Sequence, residues 1–211
     1  LVSSVRLRYA SFMNTSTIQR TISNLCVFCG SSAGNDTAYT DAAKALACEM
    51  ATRSIHLVYG GGGAGIMGTL ASALRDTGVR VTGIIPERLY EMVKHLDHSE
   101  DELVVVHTMH ERKAAMYDRS DAFVALPGGI GTLEELMEAL TWLQLGYHAK
   151  PIGILNSNGF FDSLISLLRR MVDDGFLGHR VFGTLVVEKN PAVLLDRLAE
   201  VELVIPQKIV R

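Results

Sequence analysis

Seven short runs of β-branched and apolar residues, separated by longer stretches of helical period, set most of what this chain can fold into. The runs fall near residues 25–29, 57–59, 81–85, 104–106, 122–126, 152–155 and 185–187. Between them the helical pattern covers 38–53, 66–76, 109–119, 132–145, 160–173 and 192–200. Most of the runs are apolar at nearly every position, which is what strands need when helices cover both faces of their sheet. The sequence therefore predicts an α/β chain, a single-domain Rossmann-like doubly wound parallel sheet with helices on both faces.

A chain of 211 residues has room for one core and too little for two ordinary domains. Residues 25–205 read as that domain, with 1–24 a leader of uncertain order and 206–211 a short tail. With 48% apolar residues and a mean hydropathy of +0.21, the chain can bury a core. No uninterrupted apolar run approaches the roughly 20 residues of a membrane helix. A net charge of -3 gives no basic footprint for a phosphate backbone, so neither a membrane nor a nucleic acid is expected as partner. Arg6, Arg8 and Arg20 stand among Ser and Thr with no carboxylate before Asp36. That composition loosely resembles a mitochondrial transit peptide, and a flexible leader on a cytoplasmic protein is the plainer reading. Cys26, Cys29 and Cys48 make no disulfide framework. Cys26 and Cys29 have redox-motif spacing, but residues three apart on a strand point to opposite faces.

In an open parallel sheet, ligands bind beyond the carboxyl ends of the strands, so the residues just after each strand carry the information. Three of these sites are rich in Gly or Ser: Gly30-Ser31-Ser32, the stretch from Gly60 to Gly68, and Pro127-Gly128-Gly129-Ile130-Gly131-Thr132. Within the second, Gly63, Gly65 and Gly68 match the dinucleotide spacing, and Glu87 stands near the place of a ribose-binding carboxylate. Tight packing of a helix on the sheet explains the same glycines. The third loop runs directly into a helix, where backbone N–H groups and the positive dipole end suit a phosphate. No Gly-Lys-Ser/Thr follows either loop, so a triphosphate P-loop is excluded.

Glu134 and Glu135 follow that loop, and two carboxylates beside an anion site need other tasks. Thr132 with Glu135 fits a capping box. Alternatively, one carboxylate holds ribose hydroxyls or stabilises positive charge at an anomeric carbon. Thr141, seven residues after Glu134, shares its helical face. Thr108 with Glu111 forms a second capping pattern, and Arg112 and Lys113 place cations in the first turns of the same helix, against its dipole. An anionic ligand or a carboxylate partner accounts for them; otherwise they are surface cations of little consequence for stability. The stretch 86–102, with His95 and His98, reads as a long irregular loop, a pocket wall or a solvated connection. Neither that histidine pair nor His107 with His110 has a third ligand at metal-site spacing, so no metal is expected. Met137, Leu140 and Trp142 read as a buried or intersubunit helix face.

From about residue 25 to 200 the chain resembles the LONELY GUY family, cytokinin-activating phosphoribohydrolases long mislabelled as lysine decarboxylases. Its hallmark P-G-G-x-G-T-x-x-E is met by Pro127, Gly128, Gly129, Gly131, Thr132 and Glu135. Phe28-Cys29-Gly30-Ser31-Ser32, Val58-Tyr59-Gly60-Gly61-Gly62, Met109-His110-Glu111-Arg112-Lys113 and Thr141-Trp142-Leu143-Gln144-Leu145-Gly146 resemble its other blocks. Between Arg88 and Leu103 a family substrate-contact carboxylate does not align, and Glu91 is the candidate. The resemblance implies hydrolysis of an N6-modified adenosine 5'-monophosphate to free base and ribose 5-phosphate, with Arg112 and Glu135 as the catalytic pair. It implies substrate contacts from Ser31, Gly61, Gly62, Met109, Lys113, Gly128, Gly129, Ile130, Gly131, Thr132, Glu134 and Thr141. It also implies a homodimer and no metal or other cofactor. A non-catalytic nucleotide-binding module and an NAD-dependent oxidoreductase are the alternatives that the glycine loops leave open.

Overall fold

A computed structural model of the chain describes residues 20–95 and 100–203. In chain order the elements are β1 (Asn24–Phe28), α1 (Thr37–Thr52), β2 (His56–Tyr59), α2 (Gly65–Leu74), β3 (Val81–Pro86), α3 (Glu87–Val93), β4 (Glu102–Val106) and α4 (Met109–Asp118). They continue with β5 (Ala122–Ala125), α5 (Ile130–Leu145), β6 (Ile152–Leu155), a 3-10 turn at Ser157–Gly159, α6 (Asp162–Asp173), α7 (His179–Gly183), β7 (Leu185–Glu188) and α8 (Pro191–Glu200). The seven strands form one parallel sheet in the order β4-β3-β2-β1-β5-β6-β7. The chain winds outward from β1 to β4, then returns to lay β5 against the other side of β1. That reversal puts a crevice above the carboxyl ends of β1 and β5, where connections on the two sides diverge.

The continuous apolar runs have the expected cause. Leu25 and Val27 of β1, with Cys29 just beyond it, join a core under α1, α2 and α8, while Cys26 and Phe28 join a second core under α4, α5 and α6. The two thiols that share redox-motif spacing thus sit on opposite faces of the sheet. Burial pushes both thiol pKa values up. On the α5 side, Leu140 is buried, while Met137 and Trp142 pack partly buried against the core.

The last residues of the expected leader pack against the domain. The Arg20 amide donates to the Ala199 carbonyl at 2.9 Å, Ile22 packs on the first core, and the Ser23 and Asn24 amides donate to Asp121. Arg6, Arg8, His98 and the 206–211 tail lie outside the described residues. The 86–102 stretch, read as irregular, carries a helix: α3 starts directly after Pro86, whose fixed φ suits an N-cap, and buries none of its own residues. Its weak amphipathic pattern within charged residues hid it. The helix α5 also begins two residues earlier than its apolar period suggested, because Gly129 serves as N-cap and the glycine loop winds straight into the first turn.

Candidate active site

Above the sheet, a cavity of about 470 Å³ opens at the carboxyl ends of β1, β2 and β3. Cys29, Gly30 and Ser31 line it from the β1 loop, Gly60 to Ala64 from the β2 loop, and Gly129 to Thr132 from the start of α5. Leu89 and Val93 of α3 close the β3 side, and Arg112 of α4 and Glu135 of α5 meet within it. Of the residues expected to act together, Ser31, Gly61, Gly62, Arg112, Gly129, Ile130, Gly131, Thr132 and Glu135 share this cavity. Met109, Lys113, Gly128, Glu134 and Thr141 do not line it.

Glu135 lies in the second turn of α5 and is 8% exposed. It is no helix cap: Gly129 is the N-cap and Thr132 stands inside the first turn, so the capping-box reading of Thr132 with Glu135 fails. Burial raises the Glu135 carboxyl above its ordinary pKa, and the nearby Arg112 guanidinium opposes that rise. The two side chains are 3.5 Å apart between Nη1 and Oε1.

Arg112 is positioned by α4, whose start is fixed by the capping box predicted from sequence: the Glu111 amide donates to Thr108 Oγ1, and the Thr108 amide donates to Glu111 Oε2. From there the guanidinium reaches across two strand ends. Its Nε donates to the Ile84 carbonyl at 3.1 Å and its Nη2 to the Gly60 carbonyl at 3.4 Å. Met109 contributes indirectly, its sulfur accepting from Arg112 Nη1 at 3.3 Å. A Cβ at Gly60 would stand 1.9 Å from Nη2, so this glycine makes room for the arginine. The alternative reading of Arg112 as a surface cation of little consequence is corrected by these bonds and by a side chain only 13% exposed.

Lys113 points the other way, into the α4–α5 contact. Its ammonium lies 2.6 Å from Glu134 Oε1 and 2.9 Å from Glu138 Oε1, and Tyr117 donates its hydroxyl to Glu138 Oε2 at 3.0 Å. Burial works against the charge, but the two carboxylates outweigh it and the lysine pKa is raised. Glu134, half exposed, is therefore engaged with a lysine outside the cavity. Glu138 was missed in the sequence, although its spacing of four from Glu134 marks it as a neighbour on the same face. Thr141 donates its hydroxyl to its own helix, at the Met137 carbonyl. Gly128 packs under the loop, where a Cβ would meet Thr132 Oγ1 at 2.1 Å, and it lines a smaller adjoining cavity with Tyr39 and Phe160. Glu91 pairs with Lys94 on the outer side of α3.

The two glycine-rich helix starts differ in what their amides and glycines meet. At α2, the amides of Ile66 and Met67 both donate to the Gly30 carbonyl, at 3.0 and 3.2 Å. Gly65, at φ +61, would drive a Cβ to within 2.3 Å of the Ser31 carbonyl carbon, and Gly68 would drive one to 2.2 Å from the Gly63 oxygen. Packing thus accounts for the second and third glycines of the dinucleotide pattern, and the helix amides are engaged within the chain. Glu87, its proposed ribose partner, faces His107 at 2.9 Å instead. At α5 no side chain caps the helix, and a Cβ on Gly129 or Gly131 would meet nothing within 4 Å. Gly129 to Thr132 line the cavity at this helix start, and an uncapped helix N-terminus with room beside its glycines suits an anion.

Beneath the β2 loop, Tyr59 is fully buried, donates its hydroxyl to Glu100 and accepts from the Gly62 amide at 3.4 Å. This pair holds the loop that bears Gly61 and Gly62. Among the described residues no group of three or more His, Cys, Asp or Glu side chains converges as metal ligands would, and no helix is long and apolar enough to cross a membrane.

A family model described as possible lysine decarboxylase matches residues 67–198. Cytokinin riboside 5'-monophosphate phosphoribohydrolase LOG2 of Arabidopsis thaliana is 49% identical over 176 residues, covering 83% of this chain and 82% of that protein. The probable cytokinin riboside 5'-monophosphate phosphoribohydrolase LOGL3 of Oryza sativa subsp. japonica is 47% identical over 175 residues, 83% of this chain and 82% of its own. Among solved structures, the Moco carrier protein of Chlamydomonas reinhardtii superposes with a TM-score of 0.58 at 20% identity, over 80% of this chain and 90% of that one. The molybdenum cofactor binding protein of Rippkaea orientalis gives 0.56 at 18%, over 80% and 88%. The structural likenesses speak to the fold alone, whereas the sequence relatives settle kinship: this chain belongs to the LONELY GUY family, the one whose model carries the lysine decarboxylase description.

Proposed function

We propose that the protein hydrolyses the N-glycosidic bond of cytokinin riboside 5'-monophosphates, releasing the free base and ribose 5-phosphate. The relatives that are 43–49% identical over most of the chain carry that activity in their names. The observation in this molecule that best supports it is the buried Glu135 carboxylate, 3.5 Å from a pinned guanidinium and one turn beyond an open helix N-terminus.

The amides of Ile130, Gly131 and Thr132 would hold the 5'-phosphate, which places the sugar over Glu135. In the reaction the C1'–N9 bond breaks with its electron pair leaving on the base, and a water oxygen bonds to C1'. The water loses a proton and the base gains one, so the products are neutral base and ribose 5-phosphate. As the bond breaks, positive charge grows on the ring oxygen and C1', and a carboxylate held in a low-dielectric site opposes that charge strongly. The raised pKa makes Glu135 a better base toward the attacking water. Arg112 keeps it ionised and oriented. In this arrangement Lys113, Glu134 and Glu138 join α4 to α5 and so fix the distance between Arg112 and Glu135, rather than touching the phosphate.

A homodimer accompanies this reading. Leu145 and Tyr147, at the end of α5, are 56% and 76% exposed, and such apolar exposure suits a second copy. The direct test of function compares N6-isopentenyladenosine 5'-monophosphate with its riboside. Stoichiometric base and ribose 5-phosphate from the nucleotide, with kcat/KM at least about a hundredfold lower for the riboside, is the expected result. Equal efficiency on both would remove the phosphate site from the mechanism, and no base from either would remove the activity.

A further inference from the structure

Two neighbouring strand ends hold Arg112, and a buried polar pair lies directly behind both. The guanidinium donates to the carbonyls of Gly60 and Ile84, the residues that follow Tyr59 in β2 and Gly83 in β3. Tyr59 and Gly83 are themselves register partners across those strands. Tyr59 is fully buried, donates its hydroxyl to Glu100 and accepts from the Gly62 amide at 3.4 Å. Gly83 makes the room: a Cβ there would stand 2.9 Å from Glu100 Cγ and 3.0 Å from the Gly61 Cα. A glycine inside a strand weakens it, and close approach by a carboxyl stem and a second backbone accounts for this one.

Stability does not explain the pair. Tyr59 stands in an otherwise apolar core, and replacing two bonded polar groups there by apolar ones of the same shape costs a fold little. What the pair adds is direction. Burial, then the bond to Glu100, raises the Tyr59 pKa, so the phenol remains a proton donor at neutral pH and its oxygen keeps a lone pair for the Gly62 amide. The β2 loop is thereby tied down two residues beyond the Gly60 carbonyl. We propose that Tyr59 and Glu100 are positioning residues for the hydrolysis: they fix the Gly60 carbonyl and, through it, the Arg112 guanidinium against Glu135. Neither lines the cavity, so their effect reaches the substrate only through that pair. The assignment rests on the hydrolase reading above and adds to it what supports Arg112 from behind.

The test follows base release from N6-isopentenyladenosine 5'-monophosphate across pH, with a thermal melt, on the full chain and three variants. Tyr59→Phe combined with Glu100→Met makes the pair apolar at nearly constant volume, so Tm should stay close to wild type while kcat falls about tenfold to a hundredfold. The acid limb of kcat/KM should also move. Arg112 holds the Glu135 pKa down, so a loosened guanidinium lets it rise and shifts the limb to higher pH, by about 0.5–1. Tyr59→Phe alone should move the limb the same way, whatever it does to Tm. Glu100→Gln still offers the phenol an acceptor and should keep the limb in place and most of kcat. If the apolar double variant and Tyr59→Phe keep the wild-type kcat and limb, the assignment is overturned while the hydrolase reading stands. It is equally overturned if they lose activity and Tm together with the limb unmoved, which is what a purely structural pair would do, or if Glu100→Gln behaves like the double variant. A wild-type protein inert toward the nucleotide would overturn the hydrolase reading, and the assignment with it.

Discussion

Replacing Glu135 by Gln separates chemistry from stability more cleanly than any other single change in this molecule. At 3.5 Å the ionised pair Arg112–Glu135 attracts by about 5 kcal/mol for an effective dielectric of about 20. Burial nevertheless outweighs that attraction, because the Glu135 pKa is raised and not lowered. The ionised carboxylate therefore does not stabilise the fold on balance, and glutamine, equal in length and still able to accept from Arg112, removes the desolvation cost. Stability should change by less than about 1 kcal/mol, or about 2–4 °C in Tm for a chain of this size. Turnover should behave differently. Removing one preorganised electrostatic group from a transition state costs about 10²–10³ in rate. The assay is base release followed by chromatography at saturating nucleotide, alongside a thermal melt. The wild type should also lose kcat/KM as pH falls, along an acid limb lying above the ordinary glutamate pKa of about 4.3, and the variant should lack that limb. A variant that turns over within tenfold of wild type would refute the placement of Glu135 at the reacting carbon. A drop in Tm beyond about 10 °C would refute the energetic reasoning.

Arg112→Ala should lose turnover as severely and should also lose stability, by about 2–3 kcal/mol, since it leaves Glu135 buried without its cation and the Ile84 and Gly60 carbonyls without their donor. Its pH dependence has a definite sign. With Arg112 gone the folded-state carboxyl pKa rises further above its unfolded value, so the variant is closest to wild type in stability below that unfolded value and falls behind as pH increases through the folded one; a melt that worsened toward acid would contradict this. Lys113→Ala should lower Tm and reduce kcat with little effect on KM for the nucleotide, because the lysine bridges Glu134 and Glu138 outside the cavity. A selective rise in KM would instead place it on the phosphate. In the folded protein a thiol reagent should modify Cys48, which is exposed, well before Cys26 and Cys29, which are buried with raised pKa values; prompt native reaction of Cys26 or Cys29 would show that their strand is open to solvent.

The architecture and its most informative loop were legible in the linear chain for local reasons. Apolar runs such as Ile152–Leu155 have no polar face to offer water, so they imply a sheet covered on both sides, and the proline and glycines of Pro127 to Thr132 announce the turn into a helix. Thr108 and Glu111 form their capping box because both partners lie within one turn. What happened beyond one turn was not legible. Thr132 with Glu135 has the same spacing as Thr108 with Glu111, yet only the start of α5 at Ile130 turns Glu135 from a cap into a buried carboxylate facing the cavity. The neighbours Arg112 and Lys113 are equivalent in sequence, and the packing of α4 against the sheet on one side and α5 on the other sends one to Ile84, Gly60 and Glu135 and the other to Glu134 and Glu138. Likewise, the dinucleotide-like spacing of Gly63, Gly65 and Gly68 serves packing, because the Gly30 carbonyl accepts from the Ile66 and Met67 amides at the start of α2. The sequence alone determined the seven strands, six of the eight helices among the described residues, the phosphate-suited loop and the family, because these depend on local period and contiguous motif, whereas the short helices α3 and α7 carry too little period to show. Which carboxylate meets which cation, and which helix start stays open to an anion, was decided only in the tertiary structure, because those contacts join residues far apart in the chain and depend on burial.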